Sequence, residues 1–416
     1  MDCELLALRG DLDAFARQIR RLVRSGESVA GPVAEIIADV GDRGDMAVRE
    51  YAERFDTHGA PAPPPRVSGA ELDAALDALP RELRSGLERA IENVGRVARA
   101  GIRDPQVVEF TDHRVLLREA PVRRAAVYVP GGRAPYPSTV VMGVVTARTA
   151  GVEQVVVCSP AGGGEIDPAV LAACRLCGAD EIYRLGGAHG VAALALGTTT
   201  IERVDVIVGP GNLYVQEAKR QLSGLVGIDC FAGPSDLMVI ADPDQAPEPI
   251  ALDLLAQSEH GQGTLVLAVS TSVGLLGALA PALAGAPQTG AQCRLIEVPS
   301  NEQALALSEA IAPEHLELIG PLAEQLADRI TRAGCVFVGA ASATAFGDYI
   351  AGSNHTLPTN GAARFASGLS VSQFRRAFTE VRIDDGSALA RLAAPIARAE
   401  GFEQHARSME ARIRDH

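Results

Sequence analysis

The sequence predicts an α/β protein containing two related open parallel sheets, with helical segments at both ends. Three observations carry this. From about residue 122, short β-branched runs alternate with helical stretches, the pattern of a parallel sheet covered on both faces. A second series of the same kind follows, so the chain holds two such layers of similar size. Finally, 416 residues, 47% of them hydrophobic, suffice for two or three folded units with large cores.

Residues 11–100 read as helices. Apolar side chains recur there at three and four: Leu12, Phe15, Ile19 and Leu22; Val33, Ile36, Ile37 and Val40; Leu72, Leu76 and Leu79. The run Pro61-Ala-Pro-Pro-Pro-Arg66 interrupts them as an exposed connector. The first series places strands at 125–129, 155–158, 181–185, 204–208 and 237–241, with helices over 139–150, 168–177, 191–196 and 213–222. The second places strands at 264–269, 295–298, 316–319 and 335–338, with helices near 274–284, 301–311 and 321–333. The tail, about 370–416, is arginine-rich and reads as helical.

Three strands of the first series end in glycine-rich turns: Pro130-Gly131-Gly132, Gly186-Gly187-Ala188-His189-Gly190 and Gly209-Pro210-Gly211-Asn212. Glycine lets backbone N–H groups approach a ligand, and a helix start beyond it favours phosphate. No turn fits G-x-G-x-x-G with a ribose-binding acid about 20 residues later. Each alone is equally an ordinary turn; their recurrence at one sheet edge is the better evidence, because ligands gather there.

A formal charge of −14, from 38 basic and 52 acidic residues, argues against binding nucleic acid or an anionic membrane by charge. No apolar run reaches membrane-spanning length, and the N-terminus lacks the shape of a signal peptide. The cytoplasm is therefore the expected compartment. Seven cysteines, without framework spacing, are expected to be reduced and mostly buried. Cys174-x-x-Cys177 has redox spacing but lies in an apolar helical stretch, so core packing is its plainer role. Lys219, the only lysine, sits in an ordinary helical run.

Four of the eight histidines stand beside carboxylates, amides or glycine turns in the second half. Gln257 and His260 are i and i+3 and share a helix face, so an amide oxygen and an imidazole can meet on one ion. Asp348 opens the polar, glycine-punctuated segment that ends in Asn354-His355. Glu400 and His405 lie near the C-terminus. Each has a plainer reading: a capping pair, a turn cap, a solvated tail helix. Together, Gln257, His260, Asp348 and His405 form an N,O-donor set without thiolate, which suits zinc or a similar divalent ion in a catalytic site. Glu314-His315 is the best acid/base candidate, since imidazole titrates near neutrality and the carboxylate adds a second acceptor. Adjacent residues on an extended segment point oppositely, so the pair serves one site only if the backbone turns. The plainer reading is a histidine stabilised at a helix C-terminus.

Read together, these segments resemble the histidinol dehydrogenase family. The motifs are Val127-Tyr-Val-Pro-Gly-Gly132, Gly209-Pro-Gly-Asn212, Ile228-Asp229, Ala232-Gly-Pro-Ser235, Asp253-Leu-Leu-Ala-Gln-Ser-Glu-His260, Pro313-Glu-His315, Gly347-Asp348, Asn354-His-Thr-Leu-Pro-Thr359 and Glu400 to His405. The resemblance runs from about residue 120 to the C-terminus, and more loosely before it. It implies two incomplete Rossmann-like domains: a discontinuous one at 25–127 and 241–369 carrying metal and catalytic residues, and a cofactor domain at 128–240. A helical extension, 1–24, precedes them, and a tail, 370–416, reaches the partner subunit.

The implied reaction is oxidation of L-histidinol to L-histidine through the aldehyde by two hydride transfers to NAD. The resemblance implies one zinc per subunit on Gln257, His260, Asp348 and His405, positioning the substrate. It implies His315 as the base for the alcohol proton and Glu314 as the group that activates water. It assigns substrate contacts to Ser235, Gln257, His260, His315, Asp348, His355, Glu400 and His405, and cofactor contacts to Tyr128, His189 and Asn212. The family is homodimeric with shared sites, so Glu400 and His405 are expected to serve in trans. Two departures stand out. His189 replaces the family's usual glutamine, and the span from His260 to His315 is shorter. The same oxidation of another small polar alcohol, such as a sulfonated propanediol, is one alternative. A zinc hydrolase and a non-catalytic scaffold are others.

Overall fold

The computed structural model describes residues 1, 3–23, 28–131, 134–230 and 233–414. The motif residues Gly132 and Ala232 lie outside these described residues, as does the expected boundary at 24/25. The chain divides into two compact units. The first comprises Met1–Gly101 and Val122–Phe374; the second comprises Ile102–Pro121 and the chain from Arg375 onward.

The strands, in chain order, are β1 (Cys3–Ala7), β2 (Gln106–Glu109), β3 (His113–Pro121), β4 (Arg124–Tyr128), β5 (Gln154–Ser159), β6 (Glu181–Arg184), β7 (Val206–Val208) and β8 (Gly227–Ile228). They continue with β9 (Asp236–Ala241), β10 (Leu265–Ser270), β11 (Gln292–Glu297), β12 (His315–Ile319), β13 (Cys335–Val338) and β14 (Arg375–Ile383).

The first unit holds two all-parallel sheets. One has the order β6-β5-β4-β7-β8, the other β1-β11-β10-β9-β12-β13. Apart from β1, the two orders are the same: third, second, first, fourth, fifth strand. Side chains alternate across each sheet because strand periodicity is two. Val127, Val155, Val157 and Val208 pack on one face of the first sheet, and Ala126, Tyr128, Val156 and Ile207 on the other. In the second sheet Met238, Ile240, Leu316 and Leu318 face one core, and Leu237, Val239, Val266 and Leu295 the opposite one. Both faces are buried, so the strands read as continuous apolar runs.

The structure departs from the expected elements where pairing partners are distant in sequence. Residues 3–7 are a strand, not part of a helical extension; β1 lies parallel to β11 at the sheet edge. Residues 102–121 contain strands, and the tail, after a 3₁₀ turn over Val371–Phe374, continues as one. β14 pairs antiparallel with β3, from Arg375 opposite Pro121 to Ile383 opposite His113. Only then do helices Ser387–Ala399 and Glu403–Glu410 follow. The expected helix at 139–150 is interrupted by a π-type turn over Val141–Val145. The expected helix at 321–333 is a short helix, Pro321–Glu324, and one 3₁₀ turn.

Cys3 and Cys293 face each other in register on β1 and β11 and form a disulfide, so the expectation of seven reduced thiols is corrected there. Cys174 is buried in a core helix, as its apolar surroundings imply. Among the described residues no helix is long and apolar enough to cross a membrane.

Candidate active site

Two regions of the first unit gather the polar residues, and they use opposite strand ends. At the C-terminal edge of the first sheet, the three glycine turns follow β4, β6 and β7. Tyr128, ending β4, is buried, and its hydroxyl accepts the Gly187 N–H at 3.0 Å. Burial pushes its phenol well above the usual range. Asn212 is exposed and caps helix Leu213–Leu222, its Oδ1 accepting from Tyr214 and Val215 N–H at 3.0 and 3.1 Å. Gly209 has φ +113°, and a Cβ there would meet the Tyr128 carbonyl oxygen, so only glycine fits.

Beneath that turn lies a clamp that the sequence did not reveal. Lys219 is fully buried; its Nζ donates to the Gly209 carbonyl at 3.0 Å and pairs with Asp229. Asp229 Oδ2 in turn accepts the Gly209 N–H at 2.7 Å. The helical run of Lys219 is therefore less ordinary than its sequence suggests.

His189 points inward. It is buried, its Nε2 lies 3.1 Å from Asp56 Oδ2, and its ring lies against Tyr51 and Phe55. Asp56 also accepts the Gly186 N–H at 3.1 Å. His189 thus braces the turn from below through Asp56. His189→Ala is expected to lower stability by about 1–3 kcal/mol, because a buried carboxylate loses a partner. His189→Gln, which keeps an N–H donor, should lose less than half of that. Urea unfolding of the two variants checks the ordering.

The second region lies at the N-terminal ends of β9 and β12, which are adjacent parallel strands. Helix Asn301–Ile311 ends with Ala312 in the left-handed region, φ +49°. This turn leads the chain from the helix into Glu314 and His315, whose Oε2 and Nδ1 lie 3.8 Å apart. Both are buried. Glu314 Oε2 accepts from Ser235 Oγ at 2.5 Å and from the Asp236 N–H at 3.0 Å. Burial, then the Asp236 charge, raises its carboxyl to about 8. His315 Nδ1 lies 3.3 Å from the Asp236 carbonyl, which can only accept; this fixes the proton on Nδ1 and leaves Nε2 as the basic nitrogen. Burial pushes the imidazole down, so it is held neutral.

Around this pair stand the other candidates. His315 Nε2 is 3.8 Å from Asp348 Oδ1. Asp348 ends helix Thr344–Tyr349, whose first N–H and the Thr344 hydroxyl are held by buried Glu317 Oε1 at 2.7 and 2.5 Å. Burial raises the Asp348 carboxyl to about 6, opposed by His315. Gln257, at the buried end of helix Pro247–Ser258, donates from Nε2 to Ser235 Oγ at 2.5 Å. His260 follows in the next turn, at the exposed rim, where the surrounding protein and then His315 lower its pKa. His355 places Nδ1 2.9 Å from the Asp348 carbonyl and Nε2 3.2 Å from Thr139 Oγ1. Burial pushes it to about 4.

The structure therefore brings Ser235, Gln257, Glu314, His315, Asp348 and His355 into one connected group, with His260 in electrostatic reach. Glu400 and His405 belong to the second unit, where both are exposed and His405 lies against Phe402. Sequence reading missed Asp236, Glu317 and Arg20. Asp236 adjoins the quoted Ser235 motif; Arg20 carries no local signal at all.

The donor chemistry fits zinc. His260 offers an imidazole whose pKa is lowered, Asp348 a half-buried carboxyl, and Gln257, having given its Nε2 to Ser235, keeps an amide oxygen for a cation. Among the described residues no three His, Cys, Asp or Glu side chains converge as a ready metal nest. The first unit thus offers three of the four expected donors, one of them an amide.

A family model described as histidinol dehydrogenase matches residues 19–413. The chain is 42% identical to the histidinol dehydrogenase of Parasynechococcus marenigrum, over 95% of each chain. It is 41% identical to that of Gluconobacter oxydans, over 97% of each. The crystal structure of histidinol dehydrogenase from Elizabethkingia anophelis superposes with a TM-score of 0.93 at 33% identity, covering 99% of this chain and 98% of that one.

Proposed function

Because the chain belongs to the histidinol dehydrogenase family, whose members oxidise histidinol to histidine with NAD and zinc, we propose that Glu314 and His315 perform the proton chemistry of that reaction here. The observation that supports this most is the 3.3 Å approach of His315 Nδ1 to the Asp236 carbonyl, an acceptor that assigns the proton to Nδ1 and leaves Nε2 as the base. When bound, NAD would supply the hydride acceptor for both oxidations, and zinc, on the residues named below, would hold the substrate's polar groups in place. His315 Nε2 takes the alcohol proton in the first oxidation. Glu314, whose carboxyl is tuned near neutrality, takes a proton from the water that adds to the aldehyde.

Gln257, His260, Asp348 and His405 are the proposed zinc ligands. Ser235, His355 and Glu400 are the proposed substrate contacts, beside the ligands and His315. Tyr128, His189 and Asn212 are the proposed cofactor contacts; the first two support the Gly187 turn from beneath, and Asn212 orders the next helix start. We read the protein as cytoplasmic, with the cofactor held by the five-stranded sheet, which β4 enters from Arg124 and on which residues 33–52 pack, and the catalytic residues carried by the six-stranded sheet, which β9 enters from Asp236. The matches along nearly the whole chain favour histidinol over another polar alcohol and over hydrolysis.

The direct test is histidinol-dependent NAD reduction by the purified protein, followed at the nicotinamide band. Absence of reduction in zinc-loaded protein would remove the proposal. Glu314→Gln is expected to slow oxidation of supplied aldehyde by about 10²-fold or more while sparing the alcohol step, since only aldehyde oxidation needs water. Equal slowing of both half-reactions would defeat the separate role for Glu314.

We also propose a homodimer in which Glu400 and His405 complete the partner's site. His260→Ala and His405→Ala are then each inactive. Co-expression yields heterodimers with one doubly defective site and one intact site. With equal mixing, activity returns to roughly a quarter of wild type. A verified heterodimer without activity would show that the tail closes its own site.

A further inference from the structure

Arg20, near the end of helix Leu12–Arg21, reaches both chain segments that carry the proton-transfer pair. Its Nη1 donates to Asp236 Oδ2 at 2.6 Å, where β9 begins. Its Nε and Nη2 donate to the Ile311 carbonyl at 3.0 and 2.5 Å, and Nη2 also to the Ala312 carbonyl at 3.0 Å. The ion pair is largely enclosed, with side-chain exposures of 12% for Arg20 and 3% for Asp236.

Each remaining polar group of Asp236 meets the pair. Its N–H donates to Glu314 Oε2 at 3.0 Å, and its Oδ1 accepts the Glu314 N–H at 2.7 Å. Its carbonyl accepts from His315 Nδ1 at 3.3 Å. On the other side, the carbonyls held by Arg20 flank Ala312, a non-glycine residue in the left-handed region. Such a conformation persists only where surrounding bonds hold it. One guanidinium therefore fixes the residue that orients both side chains and the turn that delivers them.

We propose that Arg20 is a positioning residue for the Glu314–His315 pair. It anchors Asp236 so that the His315 Nδ1–H keeps donating to the Asp236 carbonyl, and it holds the Ala312 turn that aims the chain. The inference rests on the roles given to Glu314 and His315 above. A planar fork is required, since several N–H groups in fixed directions serve a carboxylate and two carbonyls at once. A lysine ammonium offers a point charge without that geometry.

The test compares Arg20→Ala, Arg20→Lys and His315→Asn, all zinc-loaded. Arg20→Ala should lower kcat by about 10–10²-fold, the scale of a small misplacement at a reacting centre. KM for NAD should stay within about twofold, because the cofactor turns lie on the other sheet. Millimolar guanidinium should restore part of kcat, which a general loss of folding would not permit. Arg20→Lys should fall between the two, keeping charge toward Asp236 but not the carbonyl bonds. Wild-type kcat in Arg20→Ala would overturn the proposal, as would a loss that guanidinium does not reverse.

If Arg20→Ala does not fold, Asp236→Asn serves in its place. Asparagine retains an acceptor for the Glu314 N–H but presents an amide where Arg20 needs a carboxylate. It should reproduce the fall in kcat at unchanged KM for NAD; unchanged kcat would overturn the proposal. Should His315→Asn itself remain fully active, the assignment of the base fails. Should His315→Asn be inactive while Arg20→Ala is fully active, only the positioning role fails.

Discussion

His315→Asn is expected to lower kcat by roughly 10²–10⁴, the usual worth of a positioned general base. The size follows from the surroundings. The imidazole is buried and neutral, its Nδ1 is committed to the Asp236 carbonyl, and its Nε2 has no proton of its own to shed first. Asparagine is nearly as polar and keeps a donor toward Asp236, but it has no nitrogen that accepts a proton. NAD affinity, measured by titration of the resting protein, should hold, because the glycine turns lie on the other sheet. A variant that kept even a tenth of the wild-type rate would move the base elsewhere.

Removal of metal should have an effect of comparable size. Protein treated with a strong chelator and freed of it is expected to turn over histidinol at under about a hundredth of the original rate. One zinc per subunit should restore it, since the site holds few donors and depends on each. Bound zinc, counted by metal analysis after dialysis, should fall in His260→Ala and in Asp348→Asn without any reference to activity. Affinity should weaken as the pH falls, because imidazole and carboxylate ligands bind only when deprotonated. Full activity in metal-free protein would exclude the assigned ligand set.

Much of this arrangement was legible in the chain. Strands buried on both faces announce themselves as apolar runs, so β4, β5, β9 and β12 stand close to where their residues suggest. Gln257, His260, Glu314, His315 and Asp348 stand out as grouped polar side chains, each also readable as a cap or a solvated residue, and the family motifs are what single them out. The elements that escaped draw their stability from distant partners. Arg375–Ile383 is exposed along much of its length and rich in arginine, and it becomes a strand by pairing with residues 113–121. Arg20 resembles any basic residue in a last helical turn. Its role appears only when Asp236 and Ile311 are brought to it. The Lys219–Asp229 clamp was hidden for the same reason, since helix periodicity does not say which residue is wholly enclosed.

The bond from Arg20 to the Ile311 carbonyl spans 291 residues, which matters while the chain is being made. At about 5–20 residues per second, a ribosome takes roughly 15–60 s to cover that distance. The five-stranded sheet, complete by Ile228, can close early, whereas the six-stranded sheet must wait for Val338. During that interval β1 and helix Leu12–Arg21 are outside the ribosome with their partners still unmade. Contacts of such long range form slowly and leave apolar surface open in the meantime. The sheet that carries the proposed acid/base pair is thus completed well after the five-stranded one. A nascent chain arrested before residue 292 would expose an unpaired strand and an apolar helix face, features that chaperones bind and that aggregation recruits.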